Sequence, residues 1–251
     1  MTRIGVVIPI GTWAPYVEES VASARAQTGV SVMTYLIDNS RERVPDWVRA
    51  LVESDDVRLV GSVHSFNAAF ARNLGNLIAV EEGVEFLAVL DSDDEYCAGH
   101  LDRAVGALQS QPNALLYSAS YVNIFKGKQQ DVISRPIDSI EQLILNCTIG
   151  HSTVVTRADG WVKYPEIGPR HDLARWVLTL KAGGLIVSDQ GVVGARRFLR
   201  RNSFSRRSKL FLVRQQFRVA VEFGGLGRYR AAWLVSRFLI LKLKRKVLCG
   251  Y

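Results

Sequence analysis

The chain has 251 residues, 48% of them hydrophobic, which is enough apolar material for one large domain or one domain with an appendage. Its net charge of +8 is unevenly spread: residues 1–195 hold 16 basic and 23 acidic side chains, and residues 196–251 hold 16 basic side chains and a single acidic one, Glu222. Cys97, Cys147 and Cys249 have no paired spacing, which speaks against a disulfide framework or a zinc knuckle, and no run reaches the roughly 20 apolar residues of a bilayer span.

The apolar run at the start, in MTRIGVVIPI, is too short for a secretory leader and has no small-residue cleavage pattern, so a cytoplasmic protein is expected. The β-branched run Ile4–Ile10 reads as a strand closed by Pro9 and Gly11, and Ala14–Gln27 as a helix with Val17, Val21 and Ala24 on one face. The alternation repeats with strands at Val32–Ile37, Val57–Val60 and Phe86–Leu90 and helices at Asp46–Glu53 and Ala68–Glu82. Strands that are apolar throughout, separated by helices, imply an α/β fold with a mostly parallel central sheet flanked by helices.

Further along, Leu101–Gln109 reads as a helix, Ala114–Phe125 as one or two strands, and Lys126–Asp131 as a hairpin-like stretch. Ile140–Leu145 and Asp172–Ala182 are expected to be helices, and Thr153–Thr156 and Leu185–Val187 strands. Composition turns Arg-rich beyond Val193, which places the edge of the compact domain near Ala195: a body at 1–195 and a basic extension at 196–251.

In such sheets, ligands bind beyond the carboxyl ends of the strands. Asp38 follows one predicted strand, and the stretch LDSDDE, residues 90–95, follows another. Clustered carboxylates repel unless a cation or a set of donors neutralises them, and a hard divalent ion bridging to ligand phosphates is a common solution. An isolated D-x-D reads more simply as a solvated turn capping the helix at Leu101.

The neighbouring motifs alter that balance. VVIPI, ARAQT, LIDNS, ARNLG and LAVLDSDDEY, in this order over residues 4–195, resemble a family 2 glycosyltransferase of the GT-A fold. The resemblance implies an inverting transfer of a sugar from a nucleotide-diphosphate sugar to an acceptor hydroxyl, in surface polysaccharide or glycolipid synthesis. It places Pro9, Asp38, Arg72, Asn73, Asp91 and Ser92 on the donor nucleotide, and Asp91 and Asp93 on a Mn²⁺ or Mg²⁺ ion, with Asp94 as a secondary ligand and Glu95 left to solvent. Arg196 and Arg197 resemble basic residues that fold over the diphosphate, next to Ser203 and Ser205 in a loop. In HDLARW, Asp172 matches the catalytic base and His171 stands where an acid is common.

Each assignment has a plainer structural counterpart. Asp172 is also a natural helix cap, and Trp176 is either a wall for the acceptor sugar or a core residue. His151, in IGHSTVV, is an acceptor-side residue or a buried structural histidine. After Pro9 the family's Thr-Tyr-Asn-like trio is replaced by Ile10-Gly11-Thr12-Trp13, leaving Trp13 to stack on the base.

The extension carries two helical patterns, 207–223 and 228–247, separated by Gly224-Gly225-Leu226-Gly227. In the second, Ala232, Trp233, Leu239, Ile240, Leu243 and Val247 share one side, Arg230, Arg237 and Lys244 another, with Leu234, Phe238 and Leu241 among the charges. An anionic membrane surface at the inner face of the cell membrane suits this pattern, as does packing on the body or on a second subunit. Two other classes compete with a transferase of saccharides or lipid-linked acceptors. A nucleotidyltransferase would carry a Gly-rich basic loop after the first strand, which PIGTWAPY lacks. A non-catalytic membrane- or nucleic-acid-binding protein leaves Asp38, Asp91, Asp93 and Asp172 unexplained, and no nucleic acid is expected as a partner.

Overall fold

The structure is a computed structural model; it describes residues 1–61, 67–200 and 209–248, with side chains from 210 to 241 in the last segment. Ser203 and Ser205, Cys249, and the side chains of Leu243, Lys244 and Val247 lie outside the described residues.

The expected alternation is present: β1 (Arg3–Ile10), α1 (Tyr16–Arg25), β2 (Ser31–Asp38), α2 (Trp47–Val52), β3 (Val57–Val60), α3 (Ala68–Glu81) and β4 (Phe86–Val89). β1 lies between β2 and β4, parallel to both. Its side chains alternate: Ile4, Val6, Ile8 and Ile10 face a core with α1, while Val7 faces a second core with Tyr35, Ile37 and α3. Helices therefore cover both faces. Helix α3 starts at Asn67, whose side chain accepts from the Phe70 N–H at 3.0 Å. It lies close to β1 at Gly75, where an added Cβ would come within 2.5 Å of Val7 Cγ1.

The chain continues through β5 (Asp94–Tyr96), α4 (His100–Ser110), β6 (Ala114–Phe125), β7 (Lys128–Val132), α5 (Ile140–Asn146), β8 (Val155–Arg157), α6 (His171–Lys181) and β9 (Leu185–Phe198). The sheet order is β3-β2-β1-β4-β8-β6-β9-β5, with β7 paired to β6. β8, β7 and β5 run against the other strands. The expected strand at Thr153–Thr156 divides into a 3₁₀ turn, His151–Thr153, and β8.

Two corrections concern the carboxyl-terminal part. β9 crosses position 195 and pairs with β5 at Asp94↔Arg197 and Tyr96↔Ala195, so the expected boundary near Ala195 falls inside a sheet strand. Pairing with β5 is a contact between distant parts of the chain that composition does not register. The extension then forms α7 (Lys209–Arg218), a π-helical turn (Val219–Phe223) and α8 (Arg228–Leu248). Among the described side chains of α8, Ala231, Leu234, Val235 and Phe238 are buried, and the first three join a core with Leu143, Ile144, Trp176 and Val177. Leu234 and Phe238, expected among the charges, thus form the packed face, at the i, i+3, i+4, i+7 spacing of a helix lying on a core. Trp233 and Ile240 are exposed, and Arg230 ties α8 to Glu141 of α5 at 2.9 Å.

Candidate active site

The crevice lies beyond the carboxyl ends of β1, β2 and β4. Pro9 is buried in β1. Ile10 accepts from Asn39 on the β2 side and Val7 from Leu90 on the β4 side, so Pro9 takes its turn toward β4 after that strand has ended. Its missing N–H therefore costs no ladder bond there. Asp38 ends β2, is 1% exposed, and accepts from the Ser40 N–H at 2.9 Å. Trp13 is a core residue edge-on to Trp47, with its backbone N–H on Glu42, which removes it as a stacking face for a base.

The LDSDDE stretch divides into carboxylates with different roles. Asp91 Oδ1 accepts from Arg72 Nη2 at 2.6 Å and lies 3.5 Å from His151 Nδ1. Burial pushes the Asp91 carboxyl up, but the Arg72 guanidinium and His151 outweigh it and hold it well below the usual carboxylate range. Asp93 is less well served. Among the described residues its ion-pair partner is Arg200, 3.7 Å away and stacked on Tyr16. Burial, then the charge of Asp91, push its carboxyl up to about 6. Asp94, expected as a reserve metal ligand, is instead an anchor. It accepts from the Ser152 hydroxyl at 2.5 Å, the Phe198 N–H at 3.1 Å and Arg197 Nε at 3.3 Å. Burial pushes the Asp94 carboxyl up while Arg197 pulls against it. Ser92 contributes its carbonyl to the Ser20 hydroxyl at 2.9 Å.

Strand alternation separates the two arginines of β9. Arg197 turns inward to Asp94 and over the Tyr121 ring. Arg196 lies on the other face, exposed and 3.8 Å from Glu95, so it does not stand beside Asp91 and Asp93. Asn73 is likewise occupied: its amide accepts from the Tyr164 N–H at 2.8 Å and donates to the Tyr164 carbonyl at 2.9 Å. Both ends of its amide are thus engaged in positioning Tyr164.

The opposite wall comes from residues 146–181. Gly150 sits where a Cβ would strike the Tyr121 ring, and it lets the 3₁₀ turn bring His151 and Ser152 against Asp91 and Asp94. His151 is buried, 3.0 Å from the Tyr164 hydroxyl. His171 opens α6 after Arg170, whose φ of 75° turns the chain sharply into the helix. Its Nε2 is 2.8 Å from Arg72 Nη1 and its Nδ1 3.2 Å from the Gly168 carbonyl. A guanidinium only donates, so His171 accepts at Nε2, carries its proton on Nδ1, and is neutral. Burial, then Arg72, push it down to about 4, in keeping with that state. Asp172 follows, accepting from the Leu173 N–H at 2.8 Å. Burial opposes its ionisation, but the positive charge that His171 and His151 take up in acid, then Arg170 and the Leu173 N–H, hold the carboxyl below its usual value, so it is ionised at neutral pH. Trp176 is 1% exposed and edge-on to His151, which makes it a core residue, not an acceptor wall.

Sequence reasoning missed Tyr164 and Arg175, which supply much of this wall's wiring, and Arg200, which stands beside Asp93. Arg200 lies in the Arg-rich run and Arg175 inside HDLARW, where it reads as an ordinary helix arginine, but nothing near Tyr164 forms a motif.

Among the described residues no group of three or more His, Cys, Asp and Glu side chains is arranged to hold a metal ion. The donor set nevertheless fits a hard cation that takes its other ligands from a diphosphate: two carboxylates within a span of three residues follow β4, and burial, then the charge of the first, push the second up to about 6.

A doubly covered parallel sheet with acidic groups at its strand ends, facing an ionised carboxylate on a helix N-terminus, describes a sugar-transferring enzyme of the GT-A kind. The chain belongs to glycosyl transferase family 2, whose family model matches residues 5–157, and it is a glycosyltransferase. It is 24% identical over 186 residues to the putative teichuronic acid biosynthesis glycosyltransferase TuaG of Bacillus subtilis (strain 168), covering 72% of this chain and 73% of TuaG. A crystal structure of S. aureus TarS 1–349 superposes with a TM-score of 0.61 at 15% identity over 95% of this chain and 71% of that one. The same fragment in complex with UDP-GlcNAc gives 0.61 at 13% identity, covering 95% and 72% of the two chains. These structural likenesses establish the fold.

Proposed function

We propose that this glycosyltransferase uses a nucleoside-diphosphate sugar held at Asp38, Asp91 and Asp93, and that Asp172 is the base of an inverting transfer. The observation that carries the reading is the pair Asp91 and Asp93 at the exit of β4, with Arg72 on the first and the second pushed up to about 6 by burial and then by the charge of the first. Such a pair is suited to a cation and a diphosphate. The likeness to a TarS structure in complex with UDP-GlcNAc supports a donor of this class.

Asp172 accepts the proton of the acceptor hydroxyl as that oxygen attacks the anomeric carbon from the face opposite the diphosphate. The bond from the anomeric carbon to the β-phosphate oxygen breaks, and its electron pair leaves with the nucleoside diphosphate. A Mn²⁺ or Mg²⁺ ion held by Asp93 and Asp91 would neutralise the charge that develops on that leaving group. Arg200, beside Asp93, is the basic side chain placed to follow the diphosphate.

The name of the Bacillus relative supports a product class of surface polysaccharide, with a saccharide or lipid-linked acceptor. Among the described residues no helix is long and apolar enough to cross a membrane. The outward face of α8 carries Tyr229, Trp233 and Ile240, with Arg237 stacked 4.8 Å from the Trp233 ring. This face suits peripheral attachment to an anionic inner membrane surface. The function is tested by incubating the protein and Mn²⁺ with UDP-, GDP- and dTDP-sugars and a lipid extract, and following nucleoside diphosphate release. Release from at least one donor, lost in Asp172→Asn, is expected. No release from any donor, or full release by Asp172→Asn, contradicts it.

A further inference from the structure

Arg175 is 1% exposed, three residues past Asp172 on α6. Among the described residues no carboxylate pairs with it. Its guanidinium donates instead to two neutral oxygens, the Tyr164 hydroxyl and Thr156 Oγ1 at 3.2 Å, and lies 4.4 Å from the Tyr164 ring centre and 5.3 Å from that of Trp176. A guanidinium buried without a counter-charge is costly to keep.

The proton directions along this line follow from Arg175. An arginine has no acceptor, so the Tyr164 oxygen must accept from it, and the single Tyr164 proton is left to point at His151 Nε2, 3.0 Å away. The reverse arrangement, with His151 donating from Nε2, would aim two donors at the phenol oxygen and leave the phenol proton without this partner. His151 Nε2 therefore accepts, and its proton sits on Nδ1, 3.5 Å from Asp91 Oδ1. From the other side Arg72 Nη2 donates to the same oxygen at 2.6 Å. Both lines end on Oδ1, and no described residue hydrogen-bonds Asp91 Oδ2.

We propose that Arg175 is a positioning residue which, through Tyr164, fixes His151 as its Nδ1–H tautomer, so that Asp91 is gripped by Oδ1 and presents Oδ2 to the donor. The proposal rests on the donor reading of Asp91 given above. It gives Tyr164 and His151 the role that outer partners play around a ligating carboxylate, where loss of one typically costs about 10–100-fold in affinity.

The test reads His151 directly, by long-range ¹H–¹⁵N correlation on the ligand-free, ¹⁵N-labelled protein. Wild type is expected to show a protonated Nδ1 and a bare Nε2. Tyr164→Phe removes the hydroxyl and is expected to shift the population toward Nε2–H; Arg175→Lys, which retains a cationic donor, is expected to keep the wild-type pattern. In parallel, Tyr164→Phe should raise the donor KM about 10–100-fold with little change in kcat. Nε2–H in wild type overturns the proposal whether or not any variant folds. So does a Tyr164→Phe protein with the wild-type tautomer, or with an unchanged donor KM. Because the tautomer is read without ligand, failure of the donor reading would show separately, as a wild type that binds no UDP in the presence of Mn²⁺.

Discussion

The two walls of the crevice handle charge in opposite ways. The wall built from β1, β2 and β4 ends in Asp91 and Asp93, and leaves Asp93 under-neutralised, with Arg200 3.7 Å away. The wall built from residues 146–181 holds two neutral histidines, an ionised Asp172 and a buried Arg175 that donates to neutral oxygens. On the proposed function, the difference separates two tasks. A surface that must take up a cation and a diphosphate retains unspent negative charge, whereas a surface that must aim a base and hold a carboxylate in register spends its polar groups on one another.

If that division is right, substitutions on the two walls should fail differently. Asp172→Asn should lower the rate of transfer by roughly 10²–10⁴-fold, the usual range for a lost general base, while leaving nucleotide affinity unchanged. Steady-state kinetics beside calorimetry checks this, and equal loss of affinity and rate would erase the distinction.

The next effect in size concerns the floor under the second wall. Leu234 is 3% exposed in the core that also holds Trp176, so Leu234→Ala should cost about 2–5 kcal/mol of stability in denaturant unfolding. Trp233 is 55% exposed on the opposite face, and Trp233→Ala should change stability by no more than about 0.5 kcal/mol yet weaken attachment to anionic vesicles. Equal unfolding midpoints for the two variants would contradict the orientation of α8.

Smallest is the effect of Asp93 on the ligand-free fold. Its carboxyl, raised to about 6 from the ordinary 3.8, binds its proton more tightly folded than unfolded, so stability falls as pH rises from about 4 to about 6 and stays reduced above that. Asp93→Asn should therefore stabilise the metal-free protein at pH 7 by on the order of 1–2 kcal/mol, allowing for solvent screening, with no gain near pH 3. In wild type, Mn²⁺ must compete with that proton, so apparent metal affinity should drop about tenfold per pH unit below 6.

The first wall was largely legible in the sequence because its groups follow their strands directly: Asp38 after LI and Asp91 after FLAVL are placed by the period of the sheet alone. The same locality explains the error over Asp94. Its acidity was visible, but Ser152, Phe198 and Arg197 come from 58, 104 and 103 residues away and turn it from ligand to anchor. The second wall was legible at Asp172, through its likeness to a family motif, and little elsewhere. Tyr164 is placed by Asn73 across 91 residues of chain, and Arg175 reads as an ordinary helix arginine until the fold buries it. In the tail, helical spacing found the elements. Which face packs is decided by the core formed from α5 and α6, so Leu234 and Phe238, which the helical pattern sets among the charges, are buried.

The central claim is that Asp91 and Asp93 bind a nucleoside diphosphate through a divalent ion while Asp172 performs the chemistry. Calorimetric titration of UDP, GDP and dTDP, with and without Mn²⁺, into wild type, Asp93→Ala and Asp172→Asn tests it most directly. The account predicts that at least one nucleotide binds wild type in a Mn²⁺-dependent way, that Asp93→Ala loses the Mn²⁺-dependent part, and that Asp172→Asn retains it. Absence of binding to all three nucleotides, or Mn²⁺-dependent binding that survives in Asp93→Ala, would contradict it.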